Sequence, residues 1–173
     1  MVRCVLAAAL GAGLFTSIGS SGESGTPHVG GQAPRFSLPT VNGNGMVGQQ
    51  VGDGLPTVIL FFANWCSVCH SELPALAKVV RTQDRPGSSL ARIQVVGVDP
   101  LDSAGSARAF AKDSGVTFPV GLDGDGSVTG SKYLFRGPPY AVFIGSDGTI
   151  TAIKASTLSP AAFLSAERQL VAS

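Results

Sequence analysis

Reactive side chains crowd into one short stretch, Asn64-Trp65-Cys66-Ser67-Val68-Cys69-His70-Ser71-Glu72-Leu73-Pro74. Two residues separate its cysteines, which closes far too small a loop for a structural staple, so the pair is better explained by redox chemistry. A buried-strand pattern precedes the stretch and a helical pattern follows it. At a helix N-terminus, unpaired backbone N–H groups and the positive end of the dipole stabilise a thiolate, which predicts that Cys66 is more acidic than a free cysteine. Cys66 is therefore the candidate nucleophile, the more exposed sulfur at the lip of the turn, and Cys69, one helical turn on, would resolve the mixed disulfide. Glu72 stands three residues after Cys69 on the same helical face, placed to trade a proton with the buried thiol; an ordinary solvated helix carboxylate is the alternative. Trp65 is expected to shield the site, to pack in the core, or both.

Other chemistries compete for these residues. Cys66-Ser67-Val68-Cys69-His70 matches CxxCH, the attachment motif of c-type haem, with His70 as an iron ligand. Against it, the motif follows a buried strand, and a sixth ligand would have to come from Met46 or His28 in a glycine-rich lead-in. His70 is expected instead to be an exposed first-turn residue that tunes Cys66 or does nothing. Zinc would need four ligands at supporting spacings that the chain lacks, while a copper module built on two thiolates remains an alternative. A peroxidase is disfavoured because Ala63, not Thr, stands three residues before Cys66. Asp123-Gly124-Asp125-Gly126-Ser127 suggests a calcium loop, but Val128 and Leu134 occupy its sixth and twelfth positions, so a solvated turn is expected.

The elements that must position the cysteines are legible. Thr57-Val58-Ile59-Leu60-Phe61-Phe62-Ala63 is a continuous β-branched and aromatic run, suited to a strand buried on both faces. A helix from about 66 to 81 or beyond follows, with Leu73, Leu76, Ala77 and Val80 at helical spacing, Pro74 expected to kink it in the middle and Pro86-Gly87 stopping it. A second buried strand spans 93–98, a second helix 103–114 is capped by Ser103 and ended by Gly115, and Phe118-Pro119-Val120 is a short extended piece. Residues 140–144 and 149–153 form two strands joined by Gly145-Ser146-Asp147-Gly148, whose Asp-Gly favours a tight antiparallel hairpin. A last amphipathic helix from Ser159 carries Phe163, Leu164, Leu170 and Val171. Phe36-Ser37-Leu38 and Met46-Val47 are short apolar pieces suited to a hairpin. The order implies an α/β protein whose central mixed sheet, parallel first and antiparallel last, is flanked by helices.

The chain has 173 residues, room for one domain with a real core. Its 12 basic and 11 acidic residues leave a formal charge of +1, with no basic run interleaved with aromatics, which argues against nucleic acid as a partner. Met1-Val2-Arg3 followed by a mostly apolar run to Ile18 and a small, polar stretch has the layout of a secretory signal, cleaved or retained as an anchor. The expected organisation is a signal or anchor over 1–21, a linker over 22–33 and one domain over 34–173. Cys4 falls inside the signal, so the exported domain keeps only Cys66 and Cys69.

Phe61-Phe62-Ala63-Asn64-Trp65-Cys66-Ser67-Val68-Cys69, followed by Glu72 and Pro74, resembles the thioredoxin-like TlpA/ResA family, of the AhpC/TSA-redoxin type. Ala33-Pro34-Arg35-Phe36-Ser37-Leu38 is similar to its opening hairpin and Val95-Val96-Gly97-Val98-Asp99 to its second core strand, and 115–120 and 137–148 continue the likeness. The resemblance implies a thioredoxin-like fold with an N-terminal β-hairpin extension. It also implies an extracytoplasmic thiol-disulfide oxidoreductase with Glu72 in the active site, Cys66 and Cys69 as a redox-active disulfide and no other cofactor. Several members reduce apocytochrome c or copper-centre cysteines. The implied partners are cysteine-containing exported proteins and a membrane or extracytoplasmic electron donor or acceptor, met by a monomer.

A cis-proline facing the cysteines is implied at Pro139, which with Trp65 and Pro138 would contact substrate. Pro138 departs from the family pattern, because it has no N–H to offer a docked strand; alternatively the cis bond precedes Pro138 and the loop is shifted. Thioredoxin itself keeps a buried Asp six residues before its first cysteine, where this chain has Leu60, so Glu72 is the only acid the sequence places near the sulfurs. By the same analogy a reductase is expected, with an oxidase of secreted proteins as the alternative; Ser67 and Val68 do not decide between them.

Overall fold

The computed structural model describes residues 26–83 and 93–172, so the signal-like N-terminus and the Pro86-Gly87 helix stop lie outside the described residues, as does the side chain of Val171. The chain order is β1 (Leu38–Pro39), β2 (Met46–Val47), β3 (Thr57–Phe61), α1 (Ser67–Gln83), β4 (Gln94–Pro100), α2 (Ala104–Asp113), β5 (Val120–Asp123), a π-helix (Ser127–Lys132), β6 (Tyr140–Ile144), β7 (Ile150–Lys154) and α3 (Pro160–Ala172). Five strands form one mixed sheet in the order β5-β4-β3-β6-β7, with β3, β4 and β5 parallel and β6 and β7 antiparallel. The expected thioredoxin-like α/β architecture, with its separate β1–β2 hairpin, is the one observed.

β3 lies at the centre of the sheet and all five of its residues are buried. Alternation sends Val58 and Leu60 to one face and Ile59 and Phe61 to the other, which is why its sequence reads as continuous apolar and not as alternating. On the first face sit Leu73, Leu76 and Val80 of α1, Ala107 and Phe110 of α2, and Phe163 and Leu170 of α3. Two successive crossovers stepping the same way along a parallel sheet put α1 and α2 on one side. The opposite face is covered by the lead-in (Phe36, Leu38, Val47, Val51) and by Val128 and Tyr133 from the π-helix region. The hairpin seats closely: a Cβ at Gly121 would meet Val47 at 2.6 Å and Leu38 at 2.9 Å, so only glycine fits there.

Local signals placed most boundaries correctly. Ser103 caps α2 by accepting from Ser106 N–H, and Gly115 ends it at φ 68°. The β6–β7 turn closes through Gly145 N–H to Thr149 O and Gly148 N–H to Gly145 O. Three details differ from expectation. β5 begins at Val120 and runs to Asp123, three residues beyond the extended piece expected at 118–120, because pairing with β4 over 97–100 sets its extent. The π-helix had no readable period. Asp123 is not part of a solvated turn: it is fully buried, and its carboxylate accepts from the N–H groups of Val128 and Thr129 and from the Thr129 hydroxyl, starting the π-helix.

Candidate active site

The end of β3 and the start of α1 hold the sulfurs. Cys66 N–H donates to Ala63 O, closing a tight turn, and His70 N–H donates to Cys66 O as α1 begins. Cys66 and Cys69 are joined in a disulfide with Cα atoms 5.2 Å apart. Both are largely buried, Cys66 6% exposed and Cys69 1%, so Cys66 is the sulfur nearer the surface. The Cys69 N–H points at Cys66 Sγ from 3.1 Å, the arrangement by which a helix N-terminus stabilises sulfur charge.

The cis peptide bond lies between Pro138 and Pro139, and the Pro138 carbonyl oxygen lies 3.5 Å from Cys66 Sγ. Lacking an N–H, Pro138 presents only that carbonyl toward the sulfur. Glu72 is half-buried; its Oε2 accepts from Leu158 N–H, which fastens α1 to the segment leading into α3. With Cys69, Leu60, Leu76, Pro139 and Leu158 it lines a cavity of about 20 Å³, room for a single water between carboxylate and buried sulfur. The structure thus brings Cys66, Cys69, Glu72 and Pro139 to one place.

Trp65 is 51% exposed and donates its indole N–H to Pro100 O, so it rims the site and does not fill the core. A groove beside it is lined by Leu101, Phe135 and Arg136. His70 is exposed, its ring centroid 4.5 Å from that of Phe110, and its Nε2 donates to Asn64 O. That engagement uses the nitrogen a haem iron would need, and Cys69 is sealed in the core where no thioether could form without opening it. Among the described residues, no group of three or more His, Cys, Asp or Glu side chains could hold a metal ion.

Glu72 is not the only acid near the cysteines. Asp102 accepts from Asn64 N–H through Oδ2 at 2.7 Å, and Asp99, fully buried, stands three residues before it. Sequence reasoning missed both, because Asp99, near the end of β4, and Asp102, just after it, reach the redox turn only through pairing of β4 with β3. The alternation of β4 would have assigned Asp99 a buried face.

A central mixed sheet carrying a helix-capping CxxC disulfide opposite a cis-proline defines a thioredoxin-like thiol-disulfide oxidoreductase. The AhpC/TSA family profile matches residues 29–153, and the chain belongs to that family. It is 31% identical over 130 residues to the thioredoxin-like protein YneN of Bacillus subtilis, spanning 75% of this chain and 73% of that protein. It is 28% identical over 160 residues to the thiol-disulfide oxidoreductase ResA of the same organism, spanning 91% and 83%. In fold it is similar to DsbF of Mycobacterium tuberculosis, with a TM-score of 0.69 at 24% identity, covering 80% of this chain and 98% of that one.

Proposed function

We propose that the protein is an extracytoplasmic reductase of the TlpA/ResA type, exchanging disulfides with cysteine-containing exported proteins. The observation that carries the proposal is the half-buried Glu72 sharing a water-sized cavity with the buried Cys69. In the reduced enzyme, the Cys66 thiolate attacks one sulfur of the substrate disulfide and the other substrate sulfur leaves as a thiolate that takes a proton from solvent. Cys69 then gives its proton to Glu72, directly or through a water, and attacks Cys66 Sγ; the second substrate thiol departs and the Cys66–Cys69 disulfide remains. Two electrons pass from enzyme to substrate, and a membrane or extracytoplasmic dithiol donor restores the reduced pair.

Trp65, Pro138 and Pro139 are assigned to substrate contact, with the Pro138 carbonyl, 3.5 Å from Cys66 Sγ, as the backbone group offered. A carboxylate beside the sulfurs opposes the thiolate stabilisation that makes a strong oxidant, which favours the reducing direction. The signal-like residues 1–21 would export or anchor the chain, 22–33 would link them, and 34–173 would act as a monomeric thioredoxin-like domain. Equilibration of the purified protein with glutathione tests the direction: a potential well below the roughly −120 mV of a strong oxidant is expected, and equilibration near that value would replace the reductase by an oxidase.

A further inference from the structure

Asp99 has no exposed surface, and neither of its carboxyl oxygens has a hydrogen-bond partner. Strand alternation turns it, like Val95, to the helical face of the sheet and away from Val96 and Val98. A buried carboxylate without a donor is unfavourable, so the neutral acid is the stable form. Burial first, and then the approach and negative charge of Asp102, push it up to about 8. Asp102 stands close enough to oppose a charge on Asp99, yet outside ordinary hydrogen-bond geometry.

The loop that Asp99 leads into grips the two residues ahead of Cys66. Asp102 Oδ2 accepts from Asn64 N–H at 2.7 Å, Pro100 O accepts from the Trp65 indole at 3.0 Å, and from α1 His70 Nε2 donates to Asn64 O at 2.7 Å. Other charges near this region are engaged elsewhere. Asp123 of β5 faces the opposite side of the sheet and is satisfied by the π-helix, and Arg108 of α2 donates to Val41 O. β3 contributes only Phe62 and Ala63 beyond its last residue.

We propose that Asp99 is a proton-linked positioning residue for the redox turn. When it is neutral, Asp102 closes on Asn64; when it ionises, it drives Asp102 off the Asn64 N–H and loosens the Asn64-Trp65 segment that presents Cys66. The proton lost goes to solvent past the half-buried Asp102. The consequence for catalysis rests on Cys66 being the attacking sulfur, whereas the titration that tests the inference does not.

Trp65 is the single tryptophan of the chain, so emission from the oxidised full-length protein, which carries no titratable thiol at Cys66 or Cys69, reports this segment. Tyr133 and Tyr140 are both pushed up by burial, which keeps their ionisation clear of the measurement. Wild-type emission is expected to change in a transition centred near pH 8. Asp99→Asn is expected to remove that transition and His70→Asn to leave it. Asp102→Asn, which deletes the opposing charge, is expected to move its midpoint to lower pH. In the reduced enzyme, the ratio of wild-type to Asp99→Asn turnover of a protein disulfide is flat on the acid side of the transition and falls on the alkaline side. A merely structural role would shift stability without removing a titration. A transition that persists in Asp99→Asn, or flat wild-type emission, overturns the inference; should Asp99→Asn not fold, an unmoved midpoint in Asp102→Asn does so. Wild-type protein that keeps the transition but exchanges no disulfides would count against the proposed reductase and leave Asp99 in its role.

Discussion

Replacing Glu167 by glutamine should stabilise this protein at neutral pH and leave it unchanged in acid. Glu167 lies on α3 with no exposed surface; one carboxyl oxygen accepts from Gln83 Nε2 of α1 and the other has no partner. Burial raises its pKa, and the Gln83 hydrogen bond only partly offsets this, so the group is pushed from 4.5 up to about 7. Between those values the folded chain holds a proton that the unfolded chain has released, so stability is highest below 4.5, falls as pH rises to about 7, and is flat above. At about 1.4 kcal/mol per pH unit, the loss across that window is roughly 3 kcal/mol. Glutamine keeps the shape and an acceptor for Gln83 but never ionises. Urea unfolding of both proteins at a series of pH values should therefore give a stability difference near zero at about pH 4.5 that widens to roughly 3 kcal/mol by pH 8, a gain of about 10 °C in Tm for a domain of this size. Asp99 adds its own pH slope to both proteins and cancels in the difference. A difference that stays constant across the window would refute the reasoning, because the cost would then not be one of ionisation.

Three further outcomes are expected. Glu72→Gln should slow resolution of the mixed disulfide by roughly 10- to 100-fold while leaving the first attack by Cys66 intact, as stopped-flow traces with a peptide disulfide would separate. Cys69→Ala should trap substrate as a covalent adduct on Cys66, visible as a mass increase that dithiothreitol reverses; adducts on no residue would remove Cys66 from its role. Asp123→Ala should lower stability by about 3 kcal/mol in urea, because the buried N–H groups of Val128 and Thr129 lose their acceptor. Unchanged stability there would mean that the π-helix does not depend on its carboxylate.

Much of the site was legible because it is local. The β-branched run of β3, the cysteine spacing and the helical spacing of Leu73, Leu76, Ala77 and Val80 lie within about 25 residues of one another, and backbone periodicity alone ties them together. Ser103 as a cap and Asp147-Gly148 as a turn were equally readable, since each satisfies backbone groups a few residues away. Pro138 was recognisable as a departure because a missing N–H is a property of the residue itself.

What the sequence determined unaided is therefore the redox pair, the strand and helix that hold it, and a mixed sheet that is parallel first and antiparallel last. Tertiary structure decided which groups the pair meets. Glu72 finds Leu158 N–H across 86 residues, Asp102 reaches Asn64 across 38, and Gln83 meets Glu167 across 84. Asp99 becomes a buried acid only when β3 and β5 close on both edges of β4 and α2 covers its face. A residue's type and local period say which face it occupies, but the polarity of that face, and with it whether a carboxyl keeps its proton, is set by chain segments that only folding brings into contact.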